Sequence, residues 1–441
     1  MPKILFIQPT QYSAKNKKPC KQKRVYLPGL AFPLLASITP KHWDVEVIID
    51  IVEDVNLDTD ADIVGIGAMG HAIFRAIDLA KAFKAKGKTV VMGGYMPSMV
   101  PWFVKDYCDS VVIGDAEIAY PKLLKDYELN GTIDEVYDYP IKELKNLPLP
   151  DYDILINKKI GYMLPVQAGR GCPNLCSYCS IACLYKGKYI TRPIDEVMND
   201  IYRVKELGFK RFYLIDDNIA GNPTYLEKLC QKIKPLRMTW ASQCSIQLAK
   251  KPELLKLVAE SGCRILSLGI ESLSQEGLDK LNKKWVITHE HEELLGRIAD
   301  AGILPATEMI IGTDGDTVQS IKATFEFIMK TKIPVPKFYI MTPMPGSDLY
   351  AEYKEQGRLI HENYSRYTAT NCVHVPEKIT PEKLENRYWW LYNKVYTIPN
   401  ILKRTIFHKR FFNRPFMYLF AFVVNLHYRR YIKNGDAPNI F

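Results

Sequence analysis

Two hydrophobic rhythms run through this 441-residue chain. In its first third, short and nearly unbroken apolar runs recur: KILFIQP from Lys3, WDVEVIID from Trp43, ADIVGIG from Ala61, TVVMGG from Thr89 and SVVIGD from Ser110. Continuous runs of this length suit strands buried on both faces. Between them, Ala72 to Lys86 spaces its apolar residues at helical intervals. Strand and helix in alternation predict an α/β fold with a doubly wound parallel sheet, whose ligand crevice lies beyond the carboxyl ends of the strands. Three of those predicted ends carry glycine: Gly65, Gly67 and Gly70; Gly93 and Gly94; Gly114. Glycine there lets a flat ligand approach the backbone, and it equally serves a tight turn.

The proline-punctuated stretch Lys142 to Asp153 reads as an interdomain linker. Beyond it a second series begins, with strand candidates MLPVQAG, RFYLIDD, TWASQCS, RILSLGI, PATEMIIG and KFYIMTP. Amphipathic segments such as Ile194 to Leu207 and Glu253 to Ser261 lie between them. Six such units predict a partial (βα)6 barrel, in which functional residues sit on the loops after the strands. From about Tyr350 the pattern turns helical and aromatic. The expected domains are 1–145, a linker at 146–160, the barrel at 161–350 and a helical C-terminal domain at 351–441.

Composition adds a compartment and a charge. Ten cysteines scattered without a framework predict a reducing, cytoplasmic setting. The balance of 59 basic against 49 acidic residues gives +10, which points to an anionic partner or to a solvated basic surface. No segment reaches the ~20 apolar residues of a membrane-spanning helix. Phe416 to Val424 is a continuous apolar run with Lys403, Arg404, Lys409, Arg410 and Arg414 before it and Arg429, Arg430 and Lys433 after it. Such a segment either lies in a bilayer interface, giving peripheral membrane contact through 401–433, or caps the core.

The chemistry concentrates in GRGCPNLCSYC, Gly169 to Cys179, where Cys172, Cys176 and Cys179 are spaced C-x3-C-x2-C. Three thiolates from one loop can hold three corners of a four-iron cluster and leave the fourth iron open for a ligand. Gly169, Gly171 and Pro173 supply turn chemistry for such a loop. Two other readings stand beside it: a zinc site, for which Cys183 offers a fourth thiolate, and plain reduced thiols.

The triad, with the aromatic Tyr178 before its third cysteine, resembles the signature of the radical S-adenosylmethionine (SAM) enzymes. The resemblance continues in order over ~350 residues. Asp216-Asp217-Asn218 matches the position that helps hold the SAM amino group. Ser242, Gln243 and Glu271 match positions that contact the methionine carboxylate or ribose, Gly312 the adenine-side segment, and Pro343 to Gly346 a late motif of the cobalamin branch. Upstream, the run from Asp62 looks like that branch's Rossmann-like cobalamin-binding domain. It implies cobalamin contacts at Gly67, Met69, Gly93, Gly94, Tyr95, Gly114, Asp115 and Glu117. Three departures are visible. There is no D-x-H-x-x-G motif to supply an axial histidine; Gly67-Ala68-Met69 replaces a serine and a leucine; Tyr95-Met96 follows the glycine pair where a histidine is common.

What the resemblance implies is a cytoplasmic enzyme with a [4Fe-4S] cluster, SAM and cobalamin. It would generate a 5′-deoxyadenosyl radical and methylate an unactivated carbon of a large hydrophobic substrate, an isoprenoid lipid or a tetrapyrrole. A reductase, flavodoxin or ferredoxin would donate the electron. Alternatives are a radical cyclase or oxidase without methyl transfer, or a noncatalytic iron–sulfur or cobalamin carrier. Nucleic acid is not an expected partner, because no RNA-binding appendage or second cysteine triad is recognisable.

Overall fold

A computed structural model describes residues 1–13, 16–361 and 363–438. The chain divides into two compact units, the first made of Met1–Val166 with Asp195–Lys210, the second of Gln167–Ile194 with the described residues from Arg211 to Pro438.

In the first unit the five apolar runs become parallel strands: β1 (Lys3–Gln8), β2 (Asp44–Ile49), β3 (Ile63–Gly67), β4 (Thr89–Gly93) and β5 (Ser110–Ile113). A sixth, β6 (Val136–Asp138), is too short and polar to stand out in sequence. The order is β2-β1-β3-β4-β5-β6. Winding therefore reverses between β1 and β3, the switch point of a doubly wound sheet. Ile4 to Ile7 are all at most 2% exposed, as strands covered on both faces require. The helix Ala72–Ala85 turns Ile73, Ala76, Ile77, Ala80 and Phe83 inward, the helical spacing seen in the sequence.

Two of the glycines in β3 have a packing cause. A Cβ on Gly65 would meet the Phe6 ring at 2.8 Å, and one on Gly67 would meet Phe32 at 2.9 Å. Those two rings stack with centroids 4.9 Å apart. Gly65 and Gly67 thus make room for a core aromatic pair, a role that strand-end position alone does not reveal.

Next along the chain come β7 (Leu164–Val166), which closes the first unit's main segment, and the short strands β8 (Gly169–Gly171) and β9 (Tyr189–Thr191). The second unit's sheet follows with β10 (Arg211–Leu214), β11 (Thr239–Ser245), β12 (Cys263–Glu271), β13 (Leu304–Ile311) and β14 (Val335–Ile340). These five are parallel and neighbour one another in chain order. Steady progression without reversal is the winding of a βα barrel rather than of a doubly wound sheet. Helices Pro381–Val395, Ile398–Arg404 and Pro415–Lys433 make up the C-terminal part. Among the described residues, no helix is long and apolar enough to cross a membrane.

The core of the second unit also holds titratable groups. Burial pulls the imidazoles of His291, His374 and His408 down to about 4. Each binds a proton near pH 6.5 in the unfolded chain but only near 4 in the folded one, so stability is lost as pH falls through that window. Both His291 ring nitrogens are buried without a hydrogen-bond partner, and Phe327 meets its ring edge-on. His291→Leu should therefore gain about 2 kcal/mol on the wild type when urea unfolding at pH 5 is compared with pH 7. An unchanged difference between the two pH values would remove this histidine from the acid response.

Candidate active site

The candidate site lies at the carboxyl ends of the second unit's strands and is built around the cysteine loop. β8 pairs antiparallel with β9, a hairpin that frames the loop and was not visible in the sequence. Gly171 has φ +84°, and a Cβ there would sit 2.2 Å from the Lys188 carbonyl oxygen, so only glycine fits the hairpin. The loop itself, from Cys172 to Cys179, has no regular structure. Its conformation is imposed by hydrogen bonds from two sides.

On one side stands the segment after β10. Asp216 is fully buried and accepts from the Ala168 N–H at 2.8 Å and the Tyr189 hydroxyl at 2.7 Å. Asp217 accepts from the Gly171 N–H at 2.8 Å. The Asn218 amide donates to Cys172 Sγ at 3.5 Å while its carbonyl accepts from the Ser245 N–H at 3.1 Å. On the other side is the turn after helix Gln275–Lys280. There the Leu281 carbonyl accepts from the Ser177 N–H at 3.2 Å and the Asn282 amide donates to the Leu175 carbonyl at 2.6 Å. Leu349, just past the Pro343–Gly346 motif, donates its N–H to the Ser177 carbonyl at 3.0 Å.

Electrostatics at the mouth centre on an ion pair. Lys283 donates to Glu271 Oε1 at 2.6 Å, with both side chains under 10% exposed. Glu271 ends β12 with φ +57°, beside a register shift against β13. A left-handed non-glycine residue next to an irregular strand end is a strained arrangement of the kind concentrated at functional sites. Burial lowers the proton affinity of Lys283, but the Glu271 carboxylate outweighs it and keeps the ammonium charged. Burial pushes the Cys176 thiol up to about 12, with Lys283 opposing and Cys179, Glu271 and Cys172 adding to the rise. Cys179 is also raised by burial, and Tyr178 is raised by burial and by the adjacent Glu271. Asp216 is pushed up to about 7 by burial, against the hydrogen bonds from Tyr189 and Ala168.

The donor set suits a cluster. Among the described residues, no three His, Cys, Asp or Glu side chains converge closely enough to hold one metal ion. A lone zinc needs every thiolate about 2.3 Å from one point. A cube takes its thiolates at separate corners, and three thiols along one clamped loop are a donor set of that kind. Cys183 stands one helical turn beyond Cys179 and bonds back to the Cys179 carbonyl at 3.5 Å.

The other expected residues divide. Ser242 and Gln243 are consecutive on β11, so they face opposite sides of the sheet. Ser242 is buried with its hydroxyl on the Leu214 carbonyl at 2.6 Å. Gln243 is exposed and pairs in register with Ser267. That second face is polar. The Ser267 hydroxyl donates to Glu308 at 2.5 Å, Lys337 lies 2.7 Å from the same carboxylate, and the Tyr339 hydroxyl donates to it at 2.7 Å. Burial alone would raise Glu308, but Lys337 holds it below the usual carboxylate range. Gly312 has φ +86°, donates its N–H to Asp316 at 2.9 Å and packs against Leu384. Sequence reasoning missed Lys283, Tyr189, Asn282, Glu308 and Lys337, since isolated polar residues carry no local signal. Glu308 and Lys337, charges set within predicted apolar strands, were the available hint.

In the first unit, the remaining candidates lie at or just beyond the ends of β3, β4 and β5. Gly94 (φ +92°) and Gly114 (φ +73°) both require the left-handed region, and a Cβ on Gly114 would meet nothing within 4 Å. Ser98 ties the two loops, accepting from the Gly114 N–H and donating to the Gly94 carbonyl, each at 2.8 Å. Met69 is 74% exposed, and the helix Ala116–Asn130 starts behind Asp115 with Glu117 in its first turn. Tyr95 opens the short helix Tyr95–Met99. Gly70 and Gly114 thus leave open space beyond β3 and β5, and Met69 is exposed in the β3 loop.

A cysteine-rich loop clamped at the carboxyl edge of a partial βα barrel, following a doubly wound domain, defines an α/β enzyme built to hold an iron–sulfur group. Residues 166–328 match the radical SAM superfamily. The bacteriochlorophyllide d C-12(1)-methyltransferase of Chlorobaculum tepidum is 30% identical over 84% of this chain and 83% of its own length. The C-8(2)-methyltransferase of the same organism is 29% identical over 86% and 88%. The solved radical S-adenosylmethionine methyltransferase TsrM from Kitasatospora setae, with cobalamin and a [4Fe-4S] cluster bound, is 15% identical; it aligns with a TM-score of 0.65 over 81% of this chain and 78% of that one, a likeness of fold. The chain belongs to the radical SAM superfamily, among its methyltransferases.

The ion pair at the mouth is testable without any cofactor. Lys283→Met strands a buried carboxylate and should cost about 3–5 kcal/mol in urea unfolding, whereas Glu271→Gln with Lys283→Met should recover most of that loss. Equal costs for the single and double variants would show that the pair is not coupled.

Proposed function

We propose that this protein is a cobalamin-dependent radical SAM methyltransferase acting on an unactivated carbon of a large apolar substrate of the tetrapyrrole class. The observation that carries this reading is the clamped three-thiol loop, in a chain aligned over most of its length with methyltransferases of bacteriochlorophyllide. Its cofactors are a [4Fe-4S] cluster, SAM and cobalamin. When bound, the cluster supplies one electron to SAM and cobalamin supplies a transferable methyl group.

The chain's own residues bind, orient and exclude water. Cys172, Cys176 and Cys179 are assigned to three irons, with Asn218 donating to the Cys172 sulfur, a bond of the kind that tunes cluster potential. A cluster held here would have to displace the thiol protons that burial holds on Cys176 and Cys179. For SAM, we assign Glu271 and Lys283 as a charged pair at the mouth, Tyr178 beside them, Gln243 on the polar inner face, and Gly312 and Asp217 as backbone-shaping positions. Asp216 already spends both oxygens on protein donors, so its role is to hold the hairpin. Ser242 likewise serves the strand pairing. Gly93, Gly94, Gly114, Asp115, Glu117, Tyr95 and Met69 are assigned to the cobalamin rim, with Gly67 supporting it through the Phe32 ring.

The test is one anaerobic sample of reconstituted protein with SAM, cobalamin, reductant and bacteriochlorophyllide. About four irons per chain are expected, lost in a Cys172/Cys176/Cys179→Ala variant, together with 5′-deoxyadenosine and transfer of labelled methyl from SAM to the tetrapyrrole. Deoxyadenosine with an oxidised or cyclised product and no label would replace methyl transfer by the cyclase or oxidase reading. No SAM cleavage by a reduced cluster would leave only a carrier.

A further inference from the structure

The charge of this chain is unevenly distributed. Asn386 to Gly435 contains ten Lys and Arg and no Asp or Glu, so these fifty residues account for the whole formal excess of +10. They include the helix Pro415–Lys433, whose two faces differ sharply. Tyr418, Ala421, Asn425, Tyr428 and Ile432 are buried. Phe416 is 87% exposed, Val423 62% and Phe420 48%; on the approach to the helix, Phe412 is 88% exposed. Positions 416, 420 and 423 recur at helical spacing, so they form one stripe along the helix.

This outward stripe is not loose packing. Arg404 is fully buried and donates to the Ile333 and Pro334 carbonyls and to Asn425 Oδ1, each at 2.9 Å. Asn425 in turn donates to the Pro334 carbonyl at 2.9 Å. A buried hydrogen-bonded network of this kind fixes which side of the helix faces inward. Rotating the helix to bury Phe416 and Phe420 would break it.

Lys403, Lys409 and Arg414 stand exposed at one end of the stripe, Arg430 and Lys433 at the other. An apolar stripe flanked by exposed cations is complementary to a bilayer with anionic headgroups: acyl chains cover the rings, and headgroup phosphates meet the cations. A nucleic acid would match the cations but leave the phenylalanine stripe uncovered. We propose that the helix Pro415–Lys433 and the approach from Lys403 form a peripheral docking surface for an anionic phospholipid membrane, with the helix in the plane of the interface. This surface does not depend on the reaction assigned above.

Full-length protein is floated with phosphatidylcholine vesicles with or without phosphatidylglycerol, alongside Phe416→Ser/Phe420→Ser/Val423→Ser and Lys409→Glu/Arg414→Glu/Arg430→Glu variants. Matching circular dichroism and melting curves establish that the variants fold. The wild type should bind the anionic vesicles, and each triple variant should bind about tenfold or more weakly, because apolar burial and headgroup attraction both contribute. Wild-type binding by the serine variant would overturn the proposal, leaving a purely ionic contact such as nucleic acid makes. It would also be overturned if vesicles were ignored and the serine variant changed the mass measured by light scattering, since the stripe would then cover a second copy of the chain.

Discussion

Cluster ligation requires three sulfurs held at fixed corners, yet the span from Cys172 to Cys179 contains no helix or strand to stiffen it. Conformational order must come from outside the loop. It comes from consecutive polar residues after β10, each with a different partner. Asp216 fixes the base of the hairpin, Asp217 fixes Gly171, and Asn218 reaches both the Cys172 sulfur and the end of β11. Burying Asp216 is costly, as its elevated proton affinity records. The cost is tolerated because the donors it satisfies would otherwise be buried without partners. The turn at Leu281–Lys283 closes the loop from the opposite side, and Lys283 simultaneously neutralises Glu271.

The two sheets solve different placement problems with the same βα vocabulary. In the first unit the order β2-β1-β3 reverses direction, and Gly70 and Gly114 leave open space beyond β3 and β5. In the second, β10 to β14 advance without reversal, so alternate residues of neighbouring strands share one inner face. That face carries Gln243, Ser267, Glu308, Lys337 and Tyr339 instead of the branched apolar layers that fill a closed barrel. Its hydrogen-bonded side chains make this face polar where a closed barrel is apolar.

Much of this was legible in the sequence, for reasons that can be named. Strands such as Lys3–Gln8 and Thr239–Ser245 were readable because burial on both faces, or a compact run between turn signals, leaves a local record. The triad was readable because its three cysteines come from one loop. What escaped was nonlocal. Val136–Asp138 is a strand only because β5 lies beside it, and the β8–β9 hairpin joins segments separated by the cysteines themselves. Lys283 acquires meaning only through Glu271, twelve residues away on another element. Glycine was the most ambiguous letter: Gly94 and Gly114 need a left-handed backbone, Gly65 and Gly67 yield space to rings, and nothing in their neighbours distinguishes the two.

The C-terminal helix shows how the same constraints reach the periphery. Its inward face is set by Arg404 and Asn425, which fasten it to Ile333 and Pro334 immediately before β14. β14 carries Lys337 and Tyr339 to the polar inner face, so one strand joins the helix anchor to the barrel interior. Tyr392 and Tyr396, from the helix Pro381–Val395 and its end, bond to the Phe338 and Pro336 carbonyls and stiffen that strand further. A helix held this firmly cannot hide its phenylalanines by rolling over. Their exposure is therefore a property of the folded state that any neighbouring surface must either cover or avoid.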